Sequence, residues 1–142
     1  YWLGWNKEHG PHPSGTAFED CVLPIIEAGC ALLVEDDFEL NDLIHLSPAP
    51  GHTPGQCCAN LNSNGVKAIF AGDAFHHPLQ VYEPDWSTIK CSNRELAIVT
   101  RRKIIESCAD TDILLIPAHF SGATAGNVIS AGNEFAFRFI EG

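Results

Sequence analysis

Methionine is missing from all 142 residues, position 1 included, so the chain is expected to be a processed or excised piece, with no charged-then-apolar leader at its front. Also lacking is any run of about 18 uncharged apolar residues, and without one no membrane-spanning helix is expected. Basic residues are few: 8 Lys and Arg stand against 18 Asp and Glu, for a formal charge of -10. Residues 1–71 hold only 2 of the basic side chains against 9 acidic ones. A surface of that sign repels phosphate backbones, which excludes nucleic acid as a partner class. No Cys-x-x-Cys clip occurs. The six cysteines, Cys21, Cys30, Cys57, Cys58, Cys91 and Cys108, are spaced irregularly and read as buried thiols of a cytoplasmic protein rather than a disulfide framework. What remains is a globular composition, 45% hydrophobic and 18% charged, too apolar for disorder and long enough for one core.

Residues 1–15 mix Trp, Gly, Pro and His without a period and read as loop. Thr16 and Glu19 have capping-box spacing, and Phe18, Val22, Ile25 and Ile26 share a helical face up to Gly29, with Pro24 keeping that helix short or kinked. Cys30–Val34 and Leu43–Leu46 read as strands flanking the acidic turn Glu35–Asp42. That turn has five carboxylates, but without EF-hand spacing it reads as a solvated hairpin tip rather than a calcium loop. Cys57–Leu61 and Val66–Ala71 flank Asn62-Ser63-Asn64-Gly65, whose Asn-Gly step predicts a hairpin. Ser92 and Glu95 form a second capping-box pattern, opening a helix to about Ala109. Ala97, Ile98, Ile104, Ile105 and Cys108 lie on its apolar side, and Arg101, Arg102 and Lys103 largely on its wet side. Asp112–Pro117 reads as a buried strand, and Val128–Ile129 with Phe135–Ile140 as a closing hairpin. The predicted class is α/β with strands paired mostly as hairpins.

Three segments place a metal-capable side chain where an apolar strand runs into a Gly- or Pro-rich loop: Pro50-Gly51-His52-Thr53-Pro54-Gly55, Ala71-Gly72-Asp73 and Pro117-Ala118-His119. Loops fixed at strand ends are where rigid scaffolds hold reactive groups. Two imidazoles and a carboxylate suit a borderline-soft ion such as zinc better than calcium. Each residue alone reads more often as a loop or turn former than as a ligand, and the combination carries the signal.

Gly51-His52-Thr53-Pro54-Gly55, Gly72-Asp73 and Pro117-Ala118-His119, 21 and 46 residues apart at His52, Asp73 and His119, resemble the last three metal motifs of the metallo-β-lactamase-fold hydrolases. Gly72-Asp73-Ala74-Phe75-His76-His77-Pro78, with Gln80, Ala97 and Thr100-Arg101, is most similar to the branch of lactonase-like and methyl parathion hydrolase-like enzymes. The resemblance implies that His52 binds one metal, Asp73 bridges two and His119 binds the second, with two zinc ions in the complete enzyme. It also implies a His-x-His-x-Asp-His motif earlier in the chain. No such motif is present, and His9 and His12 do not match its spacing. The chain therefore resembles the C-terminal half of a metallo-β-lactamase-like domain over residues 1–142, one layer of an αβ/βα sandwich with a mostly antiparallel sheet and outer helices.

The function so implied is metal-dependent hydrolysis of a lactone, ester or phosphotriester small molecule by a metal-activated hydroxide, with Asp73 and His76 as the catalytic pair. Where lactonases of this family carry a tyrosine three positions after the bridging Asp, this chain has His76, which either donates a hydrogen bond or passes a proton there, or orients Asp73. His77 is assigned no role, and Trp2, Trp5, Tyr82 and Trp86 read as packing ahead of a substrate groove. Three ligands hold at most one ion, so activity is expected to require the missing half, from the parent chain or a partner. The competing expectation is a non-catalytic remnant that binds no metal and folds as a homo-oligomer over an exposed sheet face.

Overall fold

The computed structural model describes residues 15–35 and 37–140; the expectations for Trp2, Trp5, His9 and His12 lie outside them. The chain divides into two compact units, Tyr1–Glu35 and Asp36–Gly142.

In the first unit, a π turn over Phe18–Val22 leads directly into α1, Leu23–Glu27. Pro24 occupies the start of α1, where its missing N–H leaves no bond unmade. Gly29 closes the segment at φ +68°. Thr16 departs from the predicted capping box: its hydroxyl donates to Asp20, at 2.5 Å, rather than pairing with Glu19. Residues 30–34 are irregular and exposed, not the predicted strand. Their continuous apolar run satisfies a strand pattern, but no strand among the described residues pairs with it.

The second unit is one sheet of seven strands in sequence order. Strand β1, Phe38–Asn41, lies inside the segment expected to be an acidic turn and pairs with β2, Ile44–Pro48. The tip is tighter than predicted because Oδ1 of Asn41 accepts the amides of Leu43 and Ile44, an Asx turn that charge counting does not reveal. Strands β3, Cys57–Ser63, and β4, Val66–Gly72, form the predicted hairpin, with Asn64 and Gly65 both at positive φ, as the twist-matched two-residue turn requires. Helix α2, Leu79–Tyr82, is a short element within the expected loop. Helix α3, Arg94–Cys108, crosses over to β5, Leu114–Pro117, which pairs parallel to β4. Strands β6, Gly126–Ala131, and β7, Glu134–Phe139, close the sheet as an antiparallel hairpin. The capping residue of α3 is Asn93, whose side chain accepts from the Leu96 amide, one position later than the predicted Ser92.

The core lies between α3 and one sheet face, where Cys58, Ala71, Leu115, Val128 and Phe137 cluster with Ile104, Ile105 and Cys108. Arg101, expected on the wet side, is fully buried. The other sheet face presents two apolar rows by ladder register, Leu46, Ala59, Phe70, Ile116 and Ile44, Leu61, Ala68, Leu114. Of these eight only Ala68 is buried, and Phe70 is 45% exposed. The thiols also divide: Cys58, Cys91 and Cys108 are buried, whereas Cys21 and Cys30 are exposed, against the expectation of a uniformly buried set.

Candidate metal centre

Two antiparallel pairings separate β2 from β4, and β4 is parallel to β5, so β2, β4 and β5 run in one direction and end at the same sheet edge. The three motifs follow those three strands. Topology thus brings together His52, Asp73 and His119, which are far apart in sequence.

Asp73 is the centre of the group. Its Oδ1 lies 2.7 Å from Nε2 of His119 and its Oδ2 lies 3.4 Å from Nε2 of His52, so each carboxylate oxygen addresses a different imidazole. The side chains of His52, Asp73 and His119 are 17%, 39% and 50% exposed, a gradient that leaves His119 open to solvent and holds His52 inside. His76 joins them. Its ring stacks on His119 at 5.2 Å with planes 8° apart and lies 4.9 Å from the His52 ring. Ligand atoms of Asp73, His76 and His119 all fall within 4.8 Å of one another. The sequence separates His76, as a catalytic auxiliary, from the predicted ligands His52, Asp73 and His119; the structure puts His76 with Asp73 and His119 in the group whose ligand atoms converge, and His52 beside that group through Asp73 Oδ2.

Burial, and then the nearby His52, push the pKa of His76 down, and Asp73 opposes them only in part. The neutral imidazole is therefore favoured, the form that can ligate or accept a proton. Its Nδ1 is buried with no hydrogen-bond partner. A buried orphan ring nitrogen beside a carboxylate and two further imidazoles suits a borderline-soft cation, and the donor set of nitrogen and one charged oxygen matches zinc.

Backbone contacts hold this edge in place. Gly51, at φ +136°, packs so closely on α3 that a Cβ there would meet the Ala97 backbone at 2.4 Å. Thr100 donates to the Pro50 carbonyl at 2.6 Å, while the amides of Ser92 and Asn93 donate to the carbonyls of His52 and Gly51. On the other side, Oε1 of buried Gln80 accepts the His76 amide at 2.6 Å and the His77 amide at 3.3 Å, and its Nε2 donates to the Trp86 carbonyl. Arg101 donates to the carbonyls of Ala74, Pro84 and Trp86. Gln80 and Thr100 entered the sequence reading only through resemblance, and periodicity put Arg101 on the wet side, because nothing local distinguishes a buried positioning arginine from one on a wet helix face. His77 takes no part in the cluster; its Nδ1 accepts the Leu79 amide. Tyr82 and Trp86 are exposed rather than packed.

No family model matches the sequence, nor does any curated protein at a significant level. Solved structures do match. The dizinc quorum-quenching lactonase AidC, in complex with the product N-hexnoyl-L-homoserine, superposes with a TM-score of 0.73 at 18% identity over 88% of this chain and 47% of its own. Hydrolase AbOPH of the beta lactamase superfamily gives 0.73 at 21% identity, over 84% of this chain and 42% of its own. A probable metal-dependent hydrolase from Staphylococcus aureus gives 0.64 at 21%, over 81% and 42%. This is the metallo-β-lactamase fold. The chain spans less than half the length of these neighbours. Within the metallo-β-lactamase fold, the edge bearing His52, Asp73, His76 and His119 is built from the ends of β2, β4 and β5 and the loops that follow them.

Proposed function

We propose that this chain is the C-terminal layer of a metal-dependent hydrolase acting on a lactone, ester or phosphotriester, with His52, Asp73 and His119 as metal ligands and His76 as an auxiliary at the same centre. The observation that carries the reading is the divided carboxylate of Asp73, one oxygen toward His52 and the other toward His119. Held there by His52, Asp73 and His119, a zinc ion would supply a water of lowered pKa and a Lewis acid for the oxygen of the bond under attack.

The chain's own residues set the rest. His76, neutral and stacked on His119, holds a nitrogen where a proton can be given to a leaving oxygen or taken from a water. Gln80 and Arg101 fix the backbone from which it projects. A two-ion centre, with ions roughly 3.5–4 Å apart, needs more donors than these four residues offer, so turnover requires the complementary layer. The half-exposed rows around Phe70 give that layer an apolar face to cover. The same face favours a second reading, a remnant that pairs with a second copy of itself and binds no metal.

Zinc content and p-nitrophenyl ester or lactone turnover distinguish the two, measured on the chain alone and mixed with a polypeptide carrying the His-x-His-x-Asp-His motif. The expected outcome is zinc uptake by the chain, lost to background in Asp73→Ala, and turnover only in the mixture. A stable dimer that takes up no zinc in either case would leave the remnant reading alone.

A further inference from the structure

A metal-ligating histidine normally donates its second ring N–H to a carboxylate, a backbone carbonyl or water, which fixes its tautomer and the direction of the ligating nitrogen. His52 turns Nε2 toward Asp73, so its second nitrogen is Nδ1. Nδ1 lies 3.8 Å from Sγ of Cys91, which is buried. Ser87 donates its hydroxyl to the same sulfur at 3.5 Å. A thiol sulfur that already accepts one hydrogen bond from Ser87 is placed to accept a second from an Nδ1–H whenever Nε2 of His52 is the unprotonated, ligating nitrogen.

The backbone around the pair supports this pairing. Cys91 stands two residues before the Asn93 cap of α3, and the Ser92 and Asn93 amides bond the His52 and Gly51 carbonyls at 2.9 Å each. The ring and the thiol are therefore carried on two segments tied to each other directly, and neither can shift without the other. Cys91 is at 39 residues' separation from His52, and no spacing rule links them.

We infer that Cys91 is a positioning residue for the metal centre: its sulfur, held by Ser87, accepts the Nδ1–H of His52 and so aims Nε2 at the ion. This rests on the metal-centre reading above for its purpose; without an ion the Asp73 carboxylate, 3.4 Å from Nε2, competes for the ring proton, so the pairing is read apart from the metal only where that carboxylate is removed.

The test has two independent readouts on the full 142-residue chain. Nitrogen-15 NMR of the metal-free chain carrying Asp73→Ala, in which no carboxylate competes for the Nε2 proton, at a pH where imidazole is neutral, reports which His52 nitrogen is protonated. In that background with Cys91 kept or with Cys91→Ser, the Nδ1–H tautomer is expected to predominate; with Cys91→Ala it gives way to a mixture. Titration with zinc alone is expected to show affinity about 10-fold or more weaker in Cys91→Ala and largely restored in Cys91→Ser, in keeping with the usual effect of losing a partner of this kind. Circular dichroism checks that each variant folds. An unchanged His52 tautomer in Cys91→Ala overturns the inference whatever the zinc result. No zinc uptake by the wild type, with the tautomer change still present, overturns the metal reading and leaves the Cys91 pairing standing.

Discussion

Arg101 illustrates how much a single buried side chain contributes to this edge. It is fully buried, with a pKa lowered first by burial, and no acidic side chain among the described residues bonds it. Its bonds go to three carbonyls of the 74–86 segment, and its Nη2 is left without a partner. The charge is therefore costly to bury, and its removal is more costly still, because the Ala74 and Pro84 carbonyls lose their side-chain donor and Trp86 keeps only that of Gln80. Arg101→Ala should lower unfolding free energy by roughly 3 kcal/mol or more, read from urea midpoints. Cys58 gives a pH signature. Burial, with Cys57 and Cys108 adding, pushes its thiol from 9.0 to about 11, so the folded state holds that proton more tightly than the unfolded chain. Its contribution to stability is complete below pH 9 and is lost as pH rises toward about 11. Urea midpoints should fall steeply over that window, and less steeply in Cys58→Ala, even though that variant starts lower because of the cavity it creates.

At the scale of elements, two glycines with positive φ separate conformational from steric need. Gly65, in the β3–β4 turn at φ +84°, has nothing within 4 Å of a Cβ position, whereas Gly51 has the Ala97 backbone at 2.4 Å. Gly65→Ala should cost about 1 kcal/mol, the price of left-handed geometry alone. Gly51→Ala adds a backbone overlap that only movement of the His52 loop relieves, and should both destabilise by roughly 2–4 kcal/mol and abolish zinc uptake. Denaturation and metal titration on the two variants measure the difference. What the sequence disclosed follows the same division. The Asn64-Gly65 hairpin and the α3 span were legible because local residues dictate them, and the three strand-end motifs because each is local and together they match a known pattern. Strand β1 was not, since its ladder depends on the Asn41 side chain closing a tighter turn than the acidic run suggested. Nor were the burial of Arg101 or the Cys91–His52 contact, which depend on segments brought together only by the folded sheet.

Across the whole molecule, no helix among the described residues is long and apolar enough to cross a membrane, and the apolar surface that needs cover is the sheet face around Phe70. Phe70→Glu should leave the chain's own circular dichroism and melting temperature nearly unchanged, because that side chain is half exposed. It should abolish both the gain in turnover on mixing with the complementary layer and any dimer seen by sedimentation. The seam between β4 and β5 has a further consequence. The strands up to β4 form a meander of neighbouring hairpins, and so do those from β5 on, but the junction between them must wait for the entire α3 crossover. Asp73 and His119 sit on opposite sides of that junction. Closing it is the step of greatest sequence separation, and such steps are slow because chain entropy is lost before any contact compensates. In refolding, ion capture should therefore lag behind the appearance of β structure, arriving only once the two meanders have joined.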